Sequence, residues 1–542
     1  MKLYKLFLAA FAGLAFVACS DIDNIAPQSG TMLQSQVQEV NLLVPSRAEA
    51  SFTGMFTNFG KPYKMYSPPD DWEFLMILFC NDLEGADAWI ADSGYNWFSV
   101  CGEYSSRNAD YRNPAIRYRA PYNMIADVNS FISGYPEDVS DAHALNMIAQ
   151  AKCLRAYSYM SLASGFQFGY AAGGADKPCV PIVTNETTDF TQNPRATLAE
   201  VYACVLEDLN WAIEKLGADR STKAYINQNV AYGLRARVNL AMEKWADAAA
   251  DAEKAAQGFT PASIDELSRP AFYNIEDHNW IWGYDMTAAV AKAYLYATTS
   301  AWLRSFSGDG YAPACQCYTS VNNLLYNMIP ATDVRKGWWV DENLHSDHLN
   351  GVTWSCASGT LTGNDIATKN IDDIKMPYIP YTNVKFGFDP QGDLSKNGGD
   401  WPIMRVEEMI LIQAEAYAKA GDEAKGKQIL SDFVKQYRNP EYTQYCKTFS
   451  DEVWMQRRIE LWGEGFSMFD IMRLRKPVVR VNSRIPSNFP DAFQFNLAHE
   501  DPIMLAIIPQ SEMTSNALMV QNPIGHEPTT GDGEGLLDGV TD

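Results

Sequence analysis

Positive charge is scarce in this chain of 542 residues: 43 Lys and Arg stand against 66 Asp and Glu, a formal net charge of -23. That balance excludes nucleic acid and anionic lipid headgroups as partners, because both select cationic surfaces. Long apolar runs are missing after the first residues, so no later stretch reaches the roughly 20 apolar residues that span a bilayer. With 47% hydrophobic residues, the bulk of the chain is a globular body large enough for more than one core. Catalytic signatures are missing too: no H-E-x-x-H, G-x-S-x-G or glycine-rich phosphate loop occurs. His345 and His348 bracket Asp347 without a third ligand, and Cys315 and Cys317 form a C-x-C pair without a second one, so neither reads as a zinc site. The ten cysteines follow no regular disulfide framework, and most read as buried thiols. No reaction and no cofactor is indicated.

What is present begins at the N-terminus. Lys2 and Lys5 precede an apolar stretch over residues 6–17, too short to span a bilayer, which reads as a secretory signal over residues 1–18. It ends in Phe16-Val17-Ala18-Cys19, similar to the lipobox of bacterial lipoproteins, which makes Cys19 the expected lipid-attachment site and residues 19–40 a flexible tether. Asp21 and Asp23 resemble the signal that sends Bacteroidetes lipoproteins to the cell surface.

Helical periodicity follows in pairs. Thr197 and Glu200 form a capping box, and Leu198, Val201, Val205, Leu209, Ala212 and Leu216 recur at helical spacing up to Gly217. Residues 229–257 carry small residues (Ala231, Ala236, Ala241, then Ala248, Ala249, Ala252) that let two antiparallel helices approach closely, as in tetratricopeptide pairs. Residues 406–437 repeat the style around a Gly421-Asp422 turn, and 147–166 form a fourth candidate. The expectation is a mainly α scaffold with helix pairs near 147–170, 197–257, 402–437 and 451–476. Long irregular insertions lie over 66–118, 261–381 and 385–401, where function is expected. Strand period over 278–286 (Trp280, Trp282, Tyr284) predicts a buried strand, and the Gly-rich acidic residues 529–542 read as a disordered tail.

Sugar rings pack their apolar faces on flat aromatics while polar side chains meet the hydroxyls. Trp89, Asp92, Tyr95, Asn96 and Trp97, with Ser93-Gly94 as a turn, have that mixture. So do Trp302, Arg304, Asp309, Tyr311 and Gln316, and a third candidate pairs Trp338 and Trp339 with Arg335 and Lys336. These are the expected ligand contacts, against the alternative that the rings are core.

The segment from Asp451, DEVWMQRRIELWGEGFSMFDIMRLRKP, resembles the hallmark of SusD-like (RagB/SusD) proteins. Other pieces agree in order: the lipobox, Arg155-Ala156-Tyr157, the capping-box helix, Pro402-Ile403-Met404-Arg405, and Ile508-Pro509-Gln510-Ser511-Glu512 followed by Gln521-Asn522-Pro523. The resemblance implies a SusD-like fold of four tetratricopeptide-like helix pairs, with a binding domain over 41–528. It implies a glycan ligand, or in some members a peptide, and no chemistry. It also implies a SusC-like TonB-dependent transporter barrel in the outer membrane, over which the lipoprotein closes as a lid. A helical-repeat interaction protein without a small ligand is the alternative from another class. Within the hallmark, Glu460 and Glu464 stand one turn apart, and Arg457, Arg458 and Arg473 are the expected cations of a structural ionic network.

Overall fold

The computed structural model describes residues 32–90, 97–105, 107–293, 298–307, 311–356, 358–388, 398–533 and 535–542. The leader, Cys19, Asp92, Tyr95, Asn96 and Asp309 lie outside the described residues, as does the Tyr311 side chain.

Helix begins inside the stretch expected as tether. α1 (Gln34–Leu43) is held to the body where Gln38 donates to the carbonyls of Ser133 and Tyr135, and α2 (Pro45–Asn58) follows it. Next come α3 (Glu73–Glu84), α4 (Ser99–Glu103), α5 (Arg112–Ser133), α6 (Ala142–Phe166), α7 (Leu198–Lys215), α8 (Gln228–Ala241) and α9 (Trp245–Ala256). After a long insertion the chain returns to helix in α10 (Val406–Lys419), α11 (Glu423–Tyr437), α12 (Phe449–Glu460) and α13 (Ser467–Leu474).

From α5 to α11 each helix packs on the next, so α9 lies against α10 although residues 257–405 intervene. This is the tetratricopeptide-like scaffold, and small residues are what let it close: Ala231, Ala236, Ala248, Ala249 and Ala252 are all buried. The helix starts are fixed locally. Thr197 accepts from the Glu200 amide while Glu200 reaches back to the Thr197 amide, both arms of the capping box, and Asp141, Asn227, Asp422 and Thr448 cap α6, α8, α11 and α12. Buried ion pairs then cross between helices: Arg155 to Asp208 (α6 to α7) at 2.7 Å, Arg237 to Glu408 (α8 to α10) at 2.7 Å, and Arg473 to Glu415 (α13 to α10) at 2.6 Å.

Strands are few and short. β1 (Ala88–Ile90) pairs antiparallel with β3 (Thr319–Val321), β2 (Trp280–Tyr284) with β6 (Trp401–Arg405), and β4 (Thr353–Cys356) with β5 (Gly359–Thr362). β2 is the strand expected from the Trp280, Trp282, Tyr284 alternation, but all five of its residues are buried because α8 covers it. Residues 306–384 carry a core of their own around Phe306, Tyr318, Trp354 and Tyr378. The acidic C-terminal stretch folds back rather than standing free. Val540 is buried, Lys476 donates to its carbonyl, and the Asn496 amide donates to the carbonyl of Asp532 at 2.9 Å.

Candidate ligand-binding surfaces

The hallmark segment builds a sealed ionic cluster. Glu460, at the end of α12, receives Arg438 at 2.7 and 2.8 Å, Arg405 at 3.2 Å and Arg335 at 3.4 Å. Glu464 receives Arg405 twice at 2.8 Å and the Lys385 ammonium at 2.7 Å. Asp333 holds Arg335 and Glu407 holds Arg438, so Asp333, Glu407, Glu460 and Glu464 balance Arg335, Lys385, Arg405 and Arg438. None of these side chains is more than 3% exposed, so no substrate can reach them. Burial pushes the Lys385 ammonium down to about 8. Glu460 is held well below the usual carboxylate range: burial would raise it, but Arg438, Arg405 and Arg335 outweigh that.

The expected network is therefore there, with other cations. Arg457 turns to Asp470, Arg458 to Asp87, and Arg473 to Asp470 and Glu415. The partners of Glu460 and Glu464 come instead from 335, 385, 405 and 438, far away in sequence, and the cluster fastens the insertion to the helices.

The aromatic candidates divide on burial. Trp302 is fully buried, edge-on to Phe98 with ring centroids 5.0 Å apart, and Arg304 beside it gives its guanidinium to the backbone carbonyls of Phe272, Gly387 and Asp400. Trp338 and Trp339 are fully buried, edge-on to Phe272 and Trp462. Arg335 belongs to the ionic cluster, and Lys336 bonds the Tyr326 carbonyl. Trp89 is 7% exposed in β1, packed with Phe489 and Phe493. As ligand contacts Trp89, Trp302, Arg304 and Trp338 are thus corrected to core: the three indoles are covered by rings from distant segments, and the Arg304 guanidinium is taken up by backbone carbonyls. Gln316 likewise donates to the Pro377 carbonyl. Trp97 differs. It is half-buried at the described edge of its loop, with the Arg112 guanidinium 5.3 Å from its ring centroid.

Two clefts were not legible in the sequence. One, of about 270 Å³, lies between α5 (Tyr118, Arg119, Tyr122, Asn123), Pro181, Phe190 and Asn193 of a loop, and Ser511, Glu512 and Asn516. Arg119 is fixed there by the Tyr66 hydroxyl at 3.0 Å and Ser511 Oγ at 2.8 Å, and Phe190 is 57% exposed. The other, of about 230 Å³, is lined by Glu266, Arg269, Tyr273, Asp277 and His278. Burial raises the Asp277 carboxyl to about 6, against the pull of Lys223 and His278. The first cleft gathers residues from three segments too far apart for any local pattern to show, whereas the second is built within the single stretch 262–279. Among the described residues no group of three or more His, Cys, Asp or Glu side chains is placed to hold a metal ion, and no helix is long and apolar enough to cross a membrane.

Residues 60–240 match a family model described as starch-binding associating with outer membrane, and residues 368–525 match the model of the SusD family. No curated protein matches the chain. Among solved structures, a SusD-like carbohydrate binding protein from Bacteroides vulgatus is 23% identical with a TM-score of 0.68, covering 88% of this chain and 97% of its own. A SusD superfamily protein from Bacteroides thetaiotaomicron is 20% identical with a TM-score of 0.68, covering 88% of this chain and 99% of its own. A laminarin binding SusD-like protein is 16% identical with a TM-score of 0.58, covering 88% and 99%. Likeness at these identities establishes the shared fold.

Proposed function

The chain belongs to the SusD-like (RagB/SusD) family, and from that membership we propose that it is a surface lipoprotein that captures glycan and hands it to a SusC-like TonB-dependent transporter barrel. The observation that carries the reading is the pair of family matches, over residues 60–240 and 368–525, the first of them to a starch-binding, outer-membrane-associated family. A laminarin binding protein shares the fold. In this reading residues 1–18 are removed on export, Cys19 carries the lipid, and the protein faces the cell exterior. It binds and passes on its ligand without breaking a bond.

Trp97 is the aromatic we assign to the glycan face. Its ring is partly open, and Arg112 beside it is held by Asp70 at 3.0 Å, an arrangement suited to a sugar ring against the indole and hydroxyls at the guanidinium. The test is calorimetric titration of the purified chain with laminarin, starch and other oligosaccharides, with peptides as control. Trp97→Ala is expected to weaken glycan binding at least tenfold at a smaller cost in stability than truncating a fully buried indole, because Trp97 is partly packed on the core. Trp302→Ala, which empties a core site, is expected to cost about 3–5 kcal/mol of stability instead. Binding of peptide and of no glycan would sink the glycan reading.

A further inference from the structure

Two thiols meet in the interior without being joined. Cys80 of α3 and Cys101 of α4 are both buried, and their sulfurs stand 3.4 Å apart, the Cys101 S–H donating to Cys80 Sγ. The Asn113 amide of α5 faces both, 3.7 Å from Cys80 Sγ and 3.5 Å from Cys101 Sγ, and the Arg117 guanidinium lies 3.7 Å from Cys101 Sγ. Arg117 is held in turn by Asn113 Oδ1 at 3.0 Å and Glu84 Oε2 at 2.8 Å. Structural thiols are usually sealed among apolar side chains, where nothing stabilises a thiolate. Here an amide and a guanidinium are aimed at the pair. Burial raises the Cys80 thiol, yet the Cys101 S–H, the Arg117 charge and the Asn113 amide together hold it below its usual range. Cys101 is held well above, first because it donates to Cys80 and then by burial. An attacking sulfur thus sits beside one that keeps its proton, the asymmetry that thiol–disulfide exchange uses.

We propose that Cys80 and Cys101 are a disulfide-forming pair, joined by an external disulfide oxidant as the chain folds outside the cytoplasm. The Cys80 thiolate attacks one sulfur of the oxidant's disulfide and expels the other as a thiolate, leaving a mixed disulfide. Cys101 then loses its proton to that thiolate and attacks Cys80 Sγ, expelling the remaining oxidant sulfur, which takes the proton Cys80 gave up. Two cysteine thiols are oxidised and one disulfide is reduced to two thiols. The bond fastens α3 to α4 and closes the chain between them, which carries β1 and Trp97. Only the place of oxidation rests on the reading of the protein as exported; the capacity to pair rests on the geometry.

The test is to refold the purified chain in a buffer of glutathione and glutathione disulfide, alkylate free thiols with iodoacetamide in denaturant, and map peptides with and without reductant. A Cys80–Cys101 linked peptide is expected in most chains, together with a melting temperature lowered by a few degrees on reduction. Cys80→Ser and Cys101→Ser are each expected to abolish the linked peptide and that shift. Full alkylation of both cysteines in refolded wild type, or their linkage to other cysteines instead, would overturn the proposal, and this mapping stands even if a variant folds poorly. Chain taken from cells is mapped in parallel. A bond found after refolding but missing in that material would count against the exported location and leave the pairing standing.

Discussion

Glu460 meets the guanidinium groups of Arg438, Arg405 and Arg335 with no access to water. Removing the charge leaves these cations short of an anion in a medium that cannot solvate them, and breaking buried ion pairs from one side costs about 3–5 kcal/mol. Glu460→Gln is therefore expected to lower stability by that order, read as a fall in the urea midpoint at unchanged slope. Its folded pKa lies below the ordinary carboxyl value of 4.5, so the contribution is complete above pH 4.5 and is lost only as pH falls toward the depressed folded value. His348 titrates in a different window. Burial lowers its imidazole from 6.5 to about 4, because the ring packs against Gly337 where a charge would be unsolvated. Between those values the unfolded chain binds a proton that the folded chain refuses, so stability falls as pH drops from 6.5 to 4, by up to about 3 kcal/mol. Urea melts at pH 7 and pH 4.5 are expected to differ less for His348→Gln than for wild type; an equal difference would remove His348 as the cause. In sequence His348 was legible only as half of an H-x-x-H, because nothing local says which ring the fold will bury.

At the scale of elements, periodicity and caps were the legible signals because they are properties of neighbouring residues. The Thr197 helix begins where its capping box stands, β2 falls within the alternating stretch, and the break between α12 and α13 falls at Gly463 and Gly465. The break has a local cause and a tertiary one. Gly465 has φ +90°, where a side chain is strained, and a Cβ there would stand 2.6 Å from the Leu78 side chain of α3. Gly465→Ala is expected to cost about 2–3 kcal/mol, strain and overlap together. Thermal melting checks it, and a variant as stable as wild type would show that the break tolerates a side chain. The sites were less legible than the elements. Ala301-Trp302-Leu303-Arg304 could be read either as a ligand contact or as a helix with a buried Trp, and the fold takes the second: a short helix over Thr299–Leu303 uses the indole as core, and the Arg304 guanidinium clamps three carbonyls.

For the whole molecule, the helix row from α5 to α11 is continuous in space and interrupted in sequence, and the ionic cluster pins the insertion to it. The C-terminal stretch also belongs to the body: Val540 is 1% exposed, and Asn496 donates its backbone amide to the Asp532 carbonyl and its side-chain amide to the Gly533 carbonyl. Deleting residues 529–542 is expected to lower stability by about 1–2 kcal/mol through the apolar surface uncovered around Val540. Unchanged denaturant midpoints for the truncated chain would show that the stretch contributes nothing.

By itself the sequence determined what depends on near neighbours. That includes where helices start and stop, which pairs are small enough to pack closely, that the hallmark segment carries an ionic network, and, through ordered resemblance, the SusD-like family. Only the tertiary structure decided which groups meet across hundreds of residues. It gave Glu460 and Glu464 to Arg405 and Arg438 rather than to the arginines beside them, sent Trp89, Trp302 and Trp338 inward while leaving Trp97 half open, and set Cys80 against Cys101. The physical reason is the same in each case. Charge pairing, burial and thiol contact are decided by distance in space, and local pattern constrains that distance only within a turn or two of helix.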